Sequence, residues 1–337
     1  MSMARIDTVE LGRNGPLVGL QGLGCMNFRT DADDPHQWDA LVAALNAGAT
    51  LFDTADVYGA GASEEFLARF VRSHRDEVIL ATKFGRVRRA AEPGDGQTIR
   101  NDRAYIRQAV NASLGRLDVD AIDLYYMHRR DGLTPLAESV GAMAELVMEG
   151  KVRFLGLCEV SGDELREAYA VHPITAVQSE WSLFARDVET SLVATAVELG
   201  VAIVPFSPLG RGFLTGTFTD ATTELAHDDY RRLHPRLNGG NARANAALLE
   251  PVHTIAATHG ATLGQIALAW VHQRASVHGL TAVVPIPGTR RPERVAENLS
   301  ATRIVLSVDE LTLLEGLAVE VAGERFTSMT RPAPDCT

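Results

Sequence analysis

The feature that most constrains this chain is an alternation. Short apolar runs at 20–25, 50–53, 78–82, 122–127, 154–158, 174–178, 202–205 and 281–285 are separated by longer segments with helical periodicity. Each run is too short for a helix and rich in Val, Ile, Leu or Phe, which suits parallel strands covered on both faces. Between them, Ile106, Val110, Leu114 and Leu117 recur at helical spacing, as do Val188, Leu192, Ala196 and Leu199, and Leu263, Ile266, Ala267 and Trp270. Each set places an apolar stripe along one side of a helix. Asn101 or Asp102 suits the N-cap of the first helix and Asp187 that of the second. About eight strand–helix units predict a closed (β/α)8 TIM barrel. An open doubly wound sheet is the alternative, because strand order is not written in the pattern. Asn14-Gly15, between apolar stretches at 8–11 and 17–18, predicts an N-terminal β-hairpin, and extra helices are expected at the C-terminus.

A chain of 337 residues, 46% hydrophobic and 22% charged, can fill such a barrel as one domain over 1–337. Two segments break the rhythm. Residues 86–99 read as a polar loop after the third strand, and residues 213–245 as a long loop after the seventh. Both follow strand C-termini, where barrel active sites lie.

The formal net charge of −11 repels phosphates, so no nucleic-acid partner is expected. Residues 1–11 lack the apolar run of a signal peptide, and no stretch approaches the roughly 20 apolar residues that span a bilayer. No membrane association is expected, and the localisation read from this is cytoplasmic. Cys25, Cys158 and Cys336 are far apart and odd in number, which argues against a disulfide framework or zinc site. The ten histidines show no paired-ligand spacing, so no metal is expected. Nothing in the pattern sets an oligomeric state.

Polar residues at strand ends carry the chemistry. Asp53 ends one apolar run and Tyr58 follows five residues later; Lys83 ends the next; His128 ends the one after. A charge at the mouth of an apolar strand is costly unless paired. A barrel would bring the four to one face, where Asp53 pairs with Lys83, Lys83 lowers the pKa of Tyr58, and His128 bonds a substrate oxygen. The group suits protonation of an alkoxide forming at a carbonyl.

These residues resemble the aldo-keto reductases along nearly the whole chain. The resemblance rests on Gly22-Leu23-Gly24-Cys25-Met26, Phe52-Asp53-Thr54-Ala55-Asp56-Val57-Tyr58-Gly59, Ala81-Thr82-Lys83-Phe84 and Ile122-Asp123-Leu124-Tyr125-Tyr126-Met127-His128-Arg129. It continues in Phe206-Ser207-Pro208-Leu209-Gly210-Arg211-Gly212, Val284-Pro285-Ile286-Pro287-Gly288-Thr289 and Arg294-Val295-Ala296-Glu297-Asn298. It is closest to bacterial members with Phe-Gly after the lysine and a long loop after strand seven. The resemblance implies a catalytic tetrad of Asp53, Tyr58, Lys83 and His128, with Tyr58 as the general acid and NADPH (NADP+ in the reverse direction) as cofactor. Gln178 would bond the nicotinamide carboxamide, Phe206 would stack on its ring, and Ser207, Leu209 and Gly210 would line the pyrophosphate. Gly288, Thr289, Arg290 and Arg294 would hold the 2′-phosphate, for which two arginines and a hydroxyl are suited. Glu297 and Asn298 would contact the adenine. Cys158-Glu159 stands where the family has serine followed by asparagine or glutamate, and a thiol bonds the carboxamide less well than a hydroxyl. The expected reaction is reduction of an aldehyde or ketone, a small-molecule carbonyl partner, in a pocket lined by Phe28, Val57, Phe84, Trp181 and 213–245. Two rivals are a metal-dependent barrel hydrolase using Asp53 and His128, and a cofactor-binding sensor or channel-associated subunit that keeps the fold.

Overall fold

The computed structural model describes residues 5–30, 34–88 and 97–325; residues 89–96 of the polar segment and Cys336 lie outside them. An antiparallel hairpin of β1 (Thr8–Glu10) and β2 (Leu17–Gly19) opens the chain, as Asn14-Gly15 predicts. Then β3 (Leu23–Gly24), α1 (His36–Asn46), β4 (Leu51–Asp53), α2 (Ala62–Ser73) and β5 (Ile79–Phe84) begin the strand–helix alternation. The segment after β5 is not a plain loop: its flanks pair as an antiparallel hairpin, β6 (Arg86–Arg88) with β7 (Gln97–Ile99). The alternation resumes with α3 (Arg103–Leu117), β8 (Ile122–Met127), α4 (Leu136–Met148), β9 (Val152–Cys158), α5 (Gly162–Val171), β10 (Ala176–Glu180), α6 (Leu192–Leu199) and β11 (Ala202–Phe206).

Seven strands form one parallel sheet in the order β11-β10-β9-β8-β5-β4-β3. Residues 282–286 close it. Ile203 N donates to Ala282 O, Val284 N to Ile203 O and Ile286 N to Pro205 O, while on the other side Gly22 N donates to Pro285 O. The sheet is therefore a (β/α)8 barrel, and the open doubly wound alternative falls. The seam needs glycine: a Cβ on Gly24 would stand 2.7 Å from Ile286 O, and one on Gly288 2.9 Å from Gly24 O.

Segment 213–245 also departs from expectation. It is built of short helical pieces, including α7 (Ala221–Glu224) and the start of α8 (Gly239–Ala247). Then come α9 (Glu250–His259), α10 (Leu263–His278), α11 (Pro292–Ser300) and α12 (Val308–Glu315). From α2 each helix packs on the next through α6, and α10, α11 and α1 complete the ring. Asp102 caps α3 by accepting from Tyr105 N. Asp187 caps nothing of α6, whose N-cap is Ser191, because a 3₁₀ turn at Asp187–Glu189 precedes it.

Two cores follow from strand periodicity. Leu51, Ala81, Leu124, Tyr126, Cys158, Ala176, Ala202 and Val204 fill the barrel interior, joined by Leu11 and Val18 of the hairpin. The hairpin plugs the end where strands begin: Arg13 N donates to Gly200 O and Gly19 N to Thr50 Oγ1. The alternate residues, such as Phe52, Leu80, Phe84, Tyr125 and Leu157, belong to the core shared with the helices. Among the described residues no helix is long and apolar enough to cross a membrane.

On the outer side of β8, buried Asp123 accepts from both terminal nitrogens of Arg75, from Arg153 and from the backbone N–H of Leu80. Asp123→Ala orphans that N–H and strips both guanidiniums of their carboxylate, leaving Arg75 only the carbonyls of Val78 and Ala121. It is expected to cost about 3 kcal/mol, read as a lower urea midpoint at unchanged slope.

Candidate active site

Strand parity explains the site. The inward alternation that places Leu51, Ala81, Leu124, Ala176 and Val204 in the interior carries on to Asp53, Lys83, His128, Gln178 and Phe206 at the strand C-termini. Registers of Asp53 with Ala81, Lys83 with Tyr126 and Gln178 with Cys158 bring these ends to one height. Tyr58 lies beyond β4 on a one-turn 3₁₀ segment whose Gly59 and Ala60 have positive φ, turning the chain back over the barrel mouth.

Lys83 is wholly buried. Its Nζ donates to Asp53 Oδ1 (2.5 Å) and to the carbonyl of Thr54 (2.7 Å), and lies 3.5 Å from the Tyr58 hydroxyl. The other Asp53 oxygen accepts from Gln178 Nε2 at 2.8 Å. Burial works against the Lys83 ammonium, but Asp53, with Tyr58 and Cys158, outweighs it and holds the amine protonated. Burial pushes Asp53 up, while Lys83 and Gln178 pull it back. Tyr58 departs from expectation. Burial raises its phenol; Lys83 lowers it as anticipated, but Asp53 adds to the rise, and the net direction is upward. The phenol therefore keeps its proton at neutral pH, as a donor must.

The ring of His128 meets that of Tyr58 edge-on, with centroids 5.9 Å apart. Burial, then Lys83, Arg129 and Arg86, push its imidazole well below the ordinary value, so it is neutral at physiological pH. Burial lifts the Cys158 thiol to about 12, which makes it inert packing rather than a thiolate.

Around this cluster stand the other residues singled out in the sequence. The Glu159 carboxylate is already engaged: it accepts from Glu180 N and pairs with Arg325. Phe206 is half-buried at the end of β11. After it, Ser207, Gly210, Arg211 and Gly212 all take positive φ, and Gly210 N donates to Ser207 O and Gly212 N to Leu209 O; Leu209 sits half-buried within the same turn. Thr289 and Asn298 share a small crevice with Gly22, Leu23 and Pro287. Arg290 lies 3.6 Å from Asp34 with its side chain 41% exposed, and Arg294 is exposed one turn on. Glu297 accepts from Thr262 Oγ1. Phe28, Phe84 and Trp181 do not line the mouth. All three are fully buried in the helix-facing core, Phe84 stacked on Tyr125. Parity places Phe84 there, one residue past inward-facing Lys83.

Reading the sequence missed Arg325 and Glu180. Glu180 carries the same signal as Asp53, a carboxylate ending an apolar strand. Arg325 carries none, since its role comes only from tertiary approach. Among the described residues no group of acidic, His or Cys side chains could hold a metal.

The model of the aldo/keto reductase family matches residues 21–318. A probable aldo-keto reductase 1 from soybean, Glycine max, is 40% identical over 333 residues, covering 97% of this chain and 93% of that one. Among solved structures, a glycerol dehydrogenase from Gluconobacter oxydans superposes with a TM-score of 0.78 at 26% identity, covering 96% of this chain and 98% of that one. An aldo/keto reductase from Klebsiella pneumoniae in complex with NADP and acetate gives 0.71 at 26% identity, with 96% and 99% covered. Similar proteins thus occur in a plant as well as in bacteria.

The neutral His128 imidazole has a consequence for stability. Below its ordinary pKa of 6.5 the unfolded chain binds a proton that the folded site refuses, so stability falls as pH drops. The slope is up to ~1.4 kcal/mol per pH unit, and above about pH 7 the effect vanishes. On acidification from about pH 7.5 to 5, wild type should lose roughly 2 kcal/mol more than His128→Gln in urea unfolding. Equal losses would mean that the imidazole charges within the fold.

Proposed function

The chain belongs to the aldo/keto reductase family, and on that premise we propose that it reduces aldehydes or ketones to alcohols with NADPH, as one catalytic domain in which Tyr58 gives the proton. The observation that carries this reading is the Tyr58 hydroxyl 3.5 Å from a buried, charge-paired Lys83, with neutral His128 across the mouth.

The chain's residues fit the cofactor. Phe206 offers a flat face at the end of β11. Gln178 has its amide N–H on Asp53, so its carbonyl oxygen is what it would present to a carboxamide. The positive-φ turn at 207–212 suits a pyrophosphate, and Thr289, Arg290 and Arg294 a 2′-phosphate, with Glu297 and Asn298 beside the adenine. When bound, the nicotinamide supplies hydride to the carbonyl carbon. Tyr58 transfers its proton to the carbonyl oxygen as the C=O π pair moves onto it. The phenolate left behind faces the Lys83 ammonium, which Asp53 keeps in place. His128 orients the same oxygen by donating one ring N–H. The NADP complex of the Klebsiella relative supports the cofactor assignment.

Oxidation of NADPH and NADH, followed in parallel across aromatic, aliphatic and sugar-derived aldehydes and quinones, tests the reading. Faster turnover with NADPH is expected, with Arg290→Ala raising the KM for NADPH by about ten-fold and that for NADH little, since one charge-assisted phosphate contact is lost. Equal or better rates with NADH would sink the 2′-phosphate assignment. NADPH binding without turnover of any carbonyl would favour a sensor.

A further inference from the structure

Arg325 approaches the strand ends from the far C-terminal part of the chain. Its guanidinium contacts three carboxylates, from the turn after β9, the end of β10 and the 3₁₀ turn beyond it. Nη2 donates to both oxygens of Glu159 (2.5 Å each), Nε to Glu180 Oε2 (3.0 Å) and Nη1 to Asp187 Oδ2 (3.2 Å). The Glu159 and Glu180 side chains are each 5% exposed. Two buried carboxylates this close are tolerable only with a fixed cation between them.

What these carboxylates hold gives the contact its meaning. Glu159 has φ +53, a left-handed conformation disfavoured for a side chain of this kind. It is fastened in that turn by Glu159 N donating to Gln178 O, by Glu180 N donating to its carboxylate, and by Arg325. Cys158 precedes it and Gln178 is bonded to Asp53. Glu180, on its other side, lies 3.6 Å from Arg211 in the positive-φ turn at 207–212. One guanidinium therefore ties the turn after β9 to the turn after β11.

Arg325 is itself held. Asn245, wholly buried on α8, donates to Ala322 O and accepts from Ala322 N, and Arg236 Nε donates to Gly323 O. We propose that Arg325 is a positioning residue: it locks the strained turn at Glu159 and, through Glu180, the turn at 207–212, so that both ends of the nicotinamide-nucleotide cradle stand in binding register. This rests on the cofactor reading above. It makes cofactor binding, rather than hydride transfer, the step that depends on the C-terminal segment.

The test uses the full chain with Arg325→Ala, Arg325→Lys and the double variant Arg325→Ala/Glu159→Gln. Readouts are melting temperature, NADPH Kd from tryptophan fluorescence quenching, and steady-state kinetics. Arg325→Ala should raise Kd and KM for NADPH about ten-fold or more while kcat changes by less than about three-fold, the split expected when ground-state binding is lost. Arg325→Lys should recover part of the affinity, because a point charge replaces the fork. In the double variant no carboxylate at 159 is orphaned, so the melting temperature should return towards wild type while the KM stays raised. Wild-type Kd and KM in Arg325→Ala, or recovery of KM together with melting temperature in the double variant, would overturn the proposal. Wild-type protein that shows no NADPH quenching would instead refute the cofactor reading beneath it.

Discussion

The buried pair of Lys83 and Asp53 is the constraint on which the site depends. A lysine with no exposed surface cannot remain charged without a partner, and neither can the carboxylate facing it. Each therefore requires the other, and the requirement fixes geometry as well as charge. With Thr54 O and Asp53 taking two of its protons, the Lys83 ammonium has a third direction left, and the Tyr58 hydroxyl lies there. Burial keeps the Tyr58 phenol protonated in the resting state, while the ammonium favours the phenolate that proton transfer would leave. The two effects oppose each other in the pKa and cooperate in the chemistry.

The pair also organises the interior outward. Asp53 uses its second oxygen to hold Gln178, whose backbone carbonyl holds the strained Glu159 turn, whose carboxylate holds Arg325. A line of hydrogen bonds thus runs from Tyr58 to a residue more than 260 positions further along the chain. At the opposite end the hairpin fills the barrel floor with Leu11 and Val18.

Much of this was legible in the sequence, for identifiable reasons. Continuous apolar runs and helical stripes specify barrel strands and helices because each must bury a defined face. The charged strand ends at Asp53, Lys83 and His128 were visible because a charge there breaks an apolar run. What stayed hidden depended on tertiary approach. The apolar run at 281–285 marks the eighth strand, but which strands it joins is set by backbone bonds that leave no side-chain pattern. The 213–245 segment reads as loop because its helical pieces are too short to show a period. Phe28, Phe84 and Trp181 look like pocket residues by their nearness to strand ends, yet parity or packing puts them in the outer core. The direction of the Tyr58 shift was missed because nearness to a cation can be guessed from sequence, whereas desolvation cannot.

The central proposal is that Tyr58 gives the proton through its phenol hydroxyl, while other residues hold the cofactor. Single-turnover mixing of NADPH-loaded Tyr58→Phe with an aldehyde that wild type reduces, followed at the nicotinamide absorbance, tests it most directly. The account predicts hydride transfer slowed by at least ~10²-fold, with NADPH binding by fluorescence within about two-fold of wild type. Hydride transfer near the wild-type rate in Tyr58→Phe would contradict it.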